Sequence, residues 1–431
     1  MGWERPSGGQ VFEDTPQRTG GQTPADPCRP LPTPAEPCPV GPSPVGYPDK
    51  MSSSPGPLRL GTPPGSMLLH IGVHKTGTTA VQTALANSRD ILGNWQVRYP
   101  GQLMAHRDVA SSVMGRPLGW RTDGARPPQQ ALWNQVVKAA HAYQGITVIS
   151  SEFFAESPDE VVRRIAKDMT CEQLRVVVTL RNLGRILPSA WQQNLKSGFE
   201  IPYLPWLQRM LFQDDEATRN TIFWRRHRHD LLVERWAGIV GAEHVTVVVV
   251  DDRAREGIFH NFEDLLGLPR QTLYDRRGEV SNRSLTLAEA AFLRRLNVAV
   301  GGSEGWRAYP NRVQAAMVKA LVEGRAPDPD EAGMATPQWA MDRAAELAGQ
   351  MINRIEASGV HIVGDLAVLR QQLTGPQDAT DDAADLPVDS AIAAMLGALQ
   401  GSTSPGPGAS RRPAASWVHR ARTLLGVKKT P

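Results

Sequence analysis

A lysine and three threonines follow the first long apolar run of the chain. The run Met67–Val73 leads into His74–Thr79, which reads His-Lys-Thr-Gly-Thr-Thr, and residues 80–92 have helical spacing. A strand, a tight polar loop and a helix together bind anions well, because loop amides and the helix N-terminus point at the ligand. A lysine and hydroxyl groups complete such a site. The predicted binding residues are Lys75, Thr76, Gly77, Thr78 and Thr79.

The spacing of this loop differs from that of an ATP-hydrolysing P-loop, the Walker A motif. Walker A places a lysine directly after its second conserved glycine. Gly72 and Gly77 have the right separation, but Thr78 stands where that lysine belongs. The lysine of this loop is Lys75, two residues before Gly77, so it approaches a phosphate from another side. This departure favours sulfate-group chemistry over ATP hydrolysis.

A second anion-binding pair follows another apolar run. The run Leu174–Leu180 is rich in β-branched residues, which is typical of a buried parallel strand. Arg181 stands at its end, and Ser189 follows eight residues later. Arginine offers a planar fork for phosphate, and a serine in the first turns of the next helix adds a donor. We expect these two residues to bind a second phosphate.

The two segments resemble the motifs of sulfotransferases that use PAPS (3′-phosphoadenosine 5′-phosphosulfate) as the sulfuryl donor. Lys75–Thr79 is similar to the family's loop for the 5′-phosphosulfate, and Arg181 with Ser189 resembles its 3′-phosphate motif. The resemblance covers Met67 to Pro269 well and the residues after it only loosely. It implies a PAPS-dependent enzyme that sulfates a hydroxyl or amine acceptor and releases PAP, the desulfated nucleotide.

Two shorter matches support the resemblance. Phe259–Pro269 resembles the helix and the Leu-Gly-Leu-Pro turn that these enzymes carry. Arg276–Ser284 is a basic loop where the family covers the 3′-phosphate, although such a loop is equally compatible with an ordinary surface.

The acceptor must lose a proton, and two residues are candidate bases. Glu152 follows a predicted strand, and family members that modify sugars use a glutamate near this point. His106 is the rival, since small-molecule enzymes of the family use a histidine. A structural role is open for both: capping or an ion pair for Glu152, a structural or exposed position for His106. Lys75 is the predicted catalytic residue at the leaving oxygen, where charge builds in the transition state.

Composition excludes several other classes of protein. The 431 residues carry a net charge of +3, which is too small to suggest a nucleic-acid binder. No run approaches the roughly eighteen apolar residues of a membrane span, and no apolar signal segment stands at the N-terminus. The three cysteines have neither disulfide nor zinc spacing. We therefore expect a cytoplasmic protein without a metal. The resemblance implies that it is an enzyme acting on a carbohydrate, lipid or small-molecule acceptor.

Alternating strand and helix patterns predict an α/β fold with a parallel sheet, helices on both faces and a helical C-terminal part. The resemblance implies that this fold is of the P-loop NTPase-like three-layer type. The predicted strands are Leu68–Val73, Thr147–Ser150, Leu174–Leu180 and Val245–Val250. The predicted helices are Thr79–Asn87, Gln129–Tyr143, Pro158–Met169, Arg185–Leu195, Tyr203–Phe212, His229–Val240, Phe259–Leu266, Ala288–Leu296, Val313–Val322 and Pro337–Glu356. Lys75, Glu152 and Arg181 all follow strand ends, so they can share one edge of the sheet.

The two ends of the chain have the composition of disordered segments. Residues 1–66 are rich in Pro, Gly, Ser and Thr, which makes Met51 and Met67 alternative starts. Residues 67–374 form the predicted domain, and residues 375–431 are a predicted linker and basic tail. Residues 415–429 form a basic amphipathic pattern that can contact an anionic membrane surface or a partner, although a solvated tail is the simpler interpretation.

Two other functions fit parts of this pattern. Val247–Asp252 looks like the Asp-terminated strand that holds Mg²⁺ in P-loop kinases and NTPases, but the missing lysine after Gly77 counts against that class. A non-catalytic nucleotide-binding protein is the other alternative. The aromatic residues of Gly198–Arg228 either line an acceptor pocket or, as is more usual at helical spacing, belong to the core.

Overall fold

The computed structural model describes residues 61–119, 130–254, 256–274, 283–301, 311–381 and 385–403. Its centre is a six-stranded sheet in which every neighbouring pair of strands is parallel. The strands are β1 (Met67–Gly72), β2 (Val97–Arg98), β3 (Ile146–Ser150), β4 (Leu174–Arg181), β5 (Val245–Val250) and β6 (His361–Val363). Their spatial order is β2-β3-β1-β4-β5-β6. This sheet confirms the predicted α/β class.

Sixteen α-helices lie in the part of the chain that the structure describes. They are α1 (Thr78–Asn87), α2 (Arg89–Leu92), α3 (Arg107–Met114), α4 (Ala131–His141), α5 (Asp159–Met169), α6 (Leu183–Leu195), α7 (Tyr203–Phe212), α8 (Glu216–Arg219), α9 (Ile222–His227), α10 (His229–Val240), α11 (Gly257–Leu266), α12 (Leu287–Gly301), α13 (Asn311–Glu323), α14 (Gln338–Ala357), α15 (Ala367–Arg370) and α16 (Val388–Thr403). None of the described helices is both long enough and apolar enough to cross a membrane.

The side chains of the buried strands divide between two hydrophobic layers. Leu69 and Ile71 belong to a large cluster with residues of α5, α6, α10 and α14. Leu68 points the other way and clusters with residues of α1 and α11. Successive residues of a strand face opposite sides of a sheet, so apolar side chains on both sides require helices on both faces.

The order of the strands creates one crevice at the sheet's carboxyl edge. The chain leaves β1 toward β2 on one side of the sheet, whereas it leaves β4 toward β5 on the other. Because β1 and β4 are neighbours, the connections diverge between them. In open parallel sheets, ligands bind at such a switch point, beyond the carboxyl ends of the strands. Lys75 and Arg181 lie on its two sides.

Several elements differ from the sequence prediction. Strands β2 and β6 pair over only a few residues, which is too short for a periodic signal. Helix α16 lies inside the predicted linker 375–431, so a disordered linker is wrong for Val388–Thr403, whose Ala- and Leu-rich sequence favours a helix. Thr62, placed in the predicted tail, donates its amide to the Leu265 carbonyl at 2.8 Å. The rest of that tail (1–60) and the segment 404–431 lie outside the described residues.

Candidate functional site

The loop between β1 and α1 has an unusual backbone. Gly72 and Gly77 adopt positive φ angles of 81° and 80°, and Lys75 does so as well, at 68°. A side chain at Gly72 would place its Cβ 2.8 Å from the Cβ of Glu152. Glycine is therefore required there, both for the conformation and for the close approach of the segment after β3.

Threonine hydroxyls hold the loop in this shape. The hydroxyls of Thr76 and Thr78 both donate to the Val73 carbonyl, at 2.7 and 2.9 Å. The Thr76 hydroxyl also lies 2.7 Å from that of Thr179 on β4. Thr76 and Thr78 are buried, whereas Thr79 is exposed at the start of α1. Thus the first two threonines shape the loop through their hydroxyls, and Thr79 has the side chain accessible to a ligand.

The loop amides have no partner within the described part of the chain. None of the six backbone N–H groups from His74 to Thr79 donates a hydrogen bond to another described residue, whereas the amides of Val73 and Ala80 on either side do. No side chain caps the start of α1. Consecutive unpaired amides at a helix N-terminus form an anion-binding concavity. The backbone therefore has the donors that the sequence predicted for this loop.

A buried polar chain supports the loop from beneath. His70 on β1 is fully buried, with Nδ1 2.8 Å from the Ser150 hydroxyl and Nε2 3.3 Å from the Thr179 hydroxyl. Since the Thr76 hydroxyl donates to Val73, Thr179 donates to Thr76 and accepts from Nε2–H of His70. Burial lowers the pKa of His70 to about 3, so the ring stays neutral. The chain connects β3, β1 and β4 to the loop.

Lys75 stands among other cationic groups. Its Nζ donates to Gln193 Oε1 on α6 at 3.0 Å. The pKa of Lys75 is lowered to about 8, chiefly by burial; the positive charges of Lys196, Arg226 and Arg181 contribute to this shift, and Glu152 opposes it. This accumulation of positive charge disfavours the protonated lysine in the free protein. A bound polyanion would reverse that effect, which is the electrostatic signature expected of a phosphate or sulfate site.

Arg181 lies at the predicted place but has a carboxylate partner. Its Nε donates to Asp252 Oδ2 at 3.0 Å, and its second terminal nitrogen is 2.6 Å from Oδ1. Its other terminal nitrogen donates to the Lys75 carbonyl at 3.3 Å, which holds the loop. A guanidinium has five N–H donors, so about two remain for a phosphate. Asp252 also pairs with Arg185 at 3.8 Å.

Helix α6 places Ser189 between these two groups. Residues four apart share a helix face, so Arg185, Ser189 and Gln193 form one row. The first contacts Asp252 and the last contacts Lys75, so the row lines the crevice. Ser189 is half-buried, and its hydroxyl has no hydrogen-bond partner among the described residues. The start of α6 is fixed by Asn182, whose side chain accepts from the Gly184 amide and donates to three carbonyls in and directly after α15.

Glu152 lies beside the β1–α1 loop, as predicted from its position directly after strand β3. It begins a short 3₁₀ turn, Glu152–Glu156, that Ser151 caps. Its Oε2 accepts from Gln82 of α1 at 3.1 Å. The structure therefore brings together Lys75, Glu152, Arg181 and Ser189 at one edge of the sheet.

His106 does not belong to this group of reactive side chains. It is buried at the start of α3, where its Nε2 donates to the Pro100 carbonyl at 2.8 Å. Its Nδ1 accepts from the Ser150 amide at 3.1 Å. Burial lowers its pKa, and both nitrogens are engaged. These contacts favour the structural role for His106, and the identity of the base stays a prediction.

The sequence reasoning missed two cationic residues of the site. Lys196 follows α6, and Arg226 lies on α9, where its Nε donates to Glu156 at 2.9 Å. His74 is a third omission as a named site residue. Neither ring nitrogen has a hydrogen-bond partner among the described residues, although Nε2 lies 3.9 Å from Glu156 Oε1. Burial and the nearby Arg226 hold its pKa well below the usual value. In the sequence, the one indication that His74 belongs to the site is its position directly before Lys75 in the motif His74–Thr79.

Other predicted features have different roles. Most aromatic residues of the Gly198–Arg228 segment are core, since Tyr203, Trp206, Phe223 and Trp224 are buried. Arg283 of the basic loop pairs with the buried Glu289 at 2.7 Å, and residues 275–282 lie outside the described part. Both carboxylates after β5 are bound by arginines, Asp251 by Arg253 at 2.7 Å and Asp252 by Arg181.

Comparison with known proteins adds no relative: no family model, no curated protein and no solved structure matches this chain. Among the described residues, no group of three or more His, Cys, Asp or Glu is arranged to hold a metal ion. The geometry of the crevice is therefore the basis for any functional conclusion.

Proposed function

We propose that this protein is a sulfotransferase that moves a sulfuryl group from PAPS to a hydroxyl or amine acceptor and releases PAP. One observation carries the proposal: at the switch point of the sheet, a group of cations lies around Lys75, and six consecutive loop amides have no partner among the described residues. Such a site favours a multiply charged anion held against backbone N–H groups.

The 5′-phosphosulfate would lie against the β1–α1 loop. The acceptor oxygen or nitrogen forms a new bond to sulfur, while the bond between sulfur and the bridging oxygen breaks and its electron pair stays on PAP. Charge therefore builds on that bridging oxygen. Lys75 is the cation of the loop and would stabilise this charge more in the transition state than in the ground state.

Glu152 is the proposed acceptor of the proton that the attacking hydroxyl or amine loses. It lies close enough to raise the pKa of Lys75, so the two side chains share one electrostatic environment. A positioned base contributes roughly 10²- to 10⁴-fold to such a step. With His106 engaged on both ring nitrogens, Glu152 is the better supported of the two sequence candidates.

The 3′-phosphate would lie near Arg181, Arg185 and Ser189. The hydroxyl of Ser189, which has no partner within the described ranges, and the exposed Arg185 provide donors beside Arg181. Asp252 opposes an incoming phosphate, because it is a negative charge on the same guanidinium. This half of the nucleotide site therefore fits its ligand less completely than the loop does.

A P-loop kinase or NTPase is less well supported. Its Mg²⁺ would need a carboxylate after β5, and both carboxylates there are paired with arginines. The missing lysine after Gly77 also counts against it. A non-catalytic protein that binds PAP without transferring sulfate uses the same cleft and differs only in turnover.

A nucleotide panel tests the proposal. Thermal unfolding would be followed with PAPS, PAP, 5′-AMP, ATP and GTP, the last two with and without Mg²⁺. Ligands that bind the folded state raise the midpoint in proportion to their affinity. We expect PAPS and PAP to stabilise the protein most. Stabilisation by Mg²⁺-ATP and none by PAP would overturn the proposal in favour of the kinase class.

A further inference from the structure

The last described helix, α16, turns its large apolar side chains outward. Between 40% and 76% of each of these residues is exposed. They are Val388, Ile392, Met395, Leu396 and Leu399. At 3.6 residues per turn, these positions form one continuous stripe along the helix. A surface helix normally turns such a stripe toward the core, so something is expected to cover this one.

The inner face of α16 explains why the stripe cannot turn inward. Small residues pack there against α13: Ser390, Ala393 and Ala394 are buried. A Cβ on Gly397 would lie 2.5 Å from the Ala316 carbonyl oxygen. The two helices are therefore too close for Leu or Ile between them, and the outward stripe is a fixed property of this packing.

The chain contains a second stripe with the same spacing. The first stripe begins with Val388, Ile392, Met395 and Leu396, and the second consists of Trp417, Ala421, Leu424 and Leu425. In both, the positions are offset by four, seven and eight residues from the first. Equal spacing means that, if residues 415–429 are helical, their apolar side chains form a stripe of matching width.

The connection between the two stripes permits an antiparallel return. Eleven residues, 404–414, separate α16 from residues 415–429, and they include Pro405 and Pro407. Extended, they reach roughly 36 Å, which exceeds the roughly 24 Å length of α16. The prolines prevent α16 from simply continuing, so the following segment must change direction or remain apart.

Charge favours the antiparallel orientation. In that arrangement Lys428 and Lys429 come to the start of α16, where Asp385 and Asp389 lie exposed. Asp389 already pairs with Arg325 at 2.7 Å, so Asp385 is the acidic group at this end without an ion-pair partner among the described residues. If this segment is helical, Arg420 flanks the second stripe and Arg422 lies on its polar side. Opposite charges at the same end favour the antiparallel direction of the tail segment, which the apolar contact alone does not determine.

We propose that residues 415–429 form a helix that folds back on the exposed stripe of α16 in the same chain. A second copy is a poorer occupant, because five part-exposed side chains fall well short of the roughly 800 Å² per partner of a stable interface. A membrane is poorer as well, since α16 contains no Lys or Arg to meet lipid headgroups. A tethered segment needs less area, because a short linker raises its effective concentration to roughly millimolar.

Hydrogen exchange of the full-length chain tests this proposal. The double variant Trp417→Ser/Leu424→Ser removes two apolar side chains of the tail stripe, and His419→Ser/Thr423→Ser is its matched control outside the stripe. Exchange of amides in Val388–Leu399 would be measured by mass spectrometry. We expect roughly tenfold faster exchange in the first variant, equivalent to the loss of about 1.4 kcal/mol of docking, and no change in the control.

Three results would overturn the proposal. The first is equal exchange of α16 in the wild type and in the stripe variant. The second is protection that is lost on dilution, which makes a second copy the occupant. The third is that the stripe variant abolishes binding to phosphatidylserine vesicles but leaves α16 exchange unchanged, which makes a membrane the target of the tail.

Discussion

The two halves of the proposed nucleotide site, the β1–α1 loop and the Arg181 region after β4, differ in how many of their hydrogen-bond donors are available to an anion. In the β1–α1 loop the amide donors have no partner in the described part of the chain, and the threonine hydroxyls and the His70 chain hold the backbone in place. At the end of β4 the main donor, Arg181, is already bound by Asp252. The first half is preorganised, whereas the second must share its arginine. We infer that the loop supplies most of the binding and that the Arg181 region adjusts selectivity.

The largest expected effect is the loss of kcat when Lys75 is removed from the β1–α1 loop. Lys75→Ala should lower kcat by roughly 10²- to 10³-fold, because a donor at the developing charge is lost. Lys167→Ala is a matched control, since Lys167 is an exposed lysine on α5. Steady-state kinetics with PAPS would measure both. Wild-type kcat in Lys75→Ala would contradict the role of the loop.

Arg181→Ala should act on binding more than on chemistry. We expect a donor Michaelis constant roughly 10- to 100-fold higher with kcat little changed, the size of one or two charged hydrogen bonds. The matched variant Arg163→Ala removes an arginine that is 64% exposed and pairs on the surface with Asp159. A fall in kcat at constant Michaelis constant would place Arg181 in the chemistry instead.

The support beneath the loop is tested by Thr179→Val, which keeps the shape and removes the hydroxyl. His70 and Thr76 would each lose a buried partner, so the free energy of unfolding should fall by about 1–3 kcal/mol. Thr246→Val on β5 is the control, because its hydroxyl has no hydrogen-bond partner among the described residues. Denaturant unfolding measures both variants. An equal loss of unfolding free energy in both variants would show that the hydrogen bonds of Thr179 to His70 and Thr76 do not stabilise the protein.

Affinity for PAP should depend on pH through Lys75. Its pKa is about 8 in the free protein, so the ammonium is charged below that pH and neutral above it. Only the charged form attracts the anion, so affinity is full below pH 8 and should fall roughly tenfold by pH 9. Calorimetry at pH 7 and 9 measures this, and Lys75→Met should flatten the difference. A pH dependence that is unchanged in Lys75→Met would contradict the assignment.

The smallest expected effect is the change in PAP affinity when the Asp252 carboxylate beside Arg181 is neutralised. Asp252→Asn keeps a side-chain partner for Arg181 but removes the competing charge. Because the pair is partly exposed, we expect PAP to bind only roughly two- to fivefold more tightly, with 5′-AMP unchanged. Weaker binding of PAP would show that Asp252 positions Arg181 rather than opposing the phosphate.

The parts of the site that could be predicted are those formed by neighbours in sequence. The β1–α1 loop, with Lys75 and its threonines, is local, and so is the pairing of Arg181 and Ser189 across one helix start. Lys196 and Arg226 come from elements that only packing brings to the loop. The pairing of Arg181 with Asp252 depends on the register between β4 and β5, which a single sequence does not give.

The same distinction holds for the fold. The buried strands β1, β4 and β5 are continuous apolar runs and were predicted within two residues of their bounds. Strand β6 has three residues, and its pairing with β5 depends on a chain segment more than a hundred residues later. Helix α16 was missed because its surroundings are acidic and Gly-rich, and its apolar residues face outward.

Transfer of radiolabelled sulfate is the most direct test of the central claim that the anion at Lys75 is the phosphosulfate of PAPS. Purified protein would be incubated with labelled PAPS and a lysate of the source cell, beside Lys75→Ala and Lys167→Ala. We expect PAP release together with label on an acceptor for the wild type and Lys167→Ala, and roughly 10²- to 10³-fold slower formation of both products for Lys75→Ala. Absence of transfer by the wild type, despite tight binding of PAP, would contradict the claim of catalysis and leave a nucleotide-binding protein.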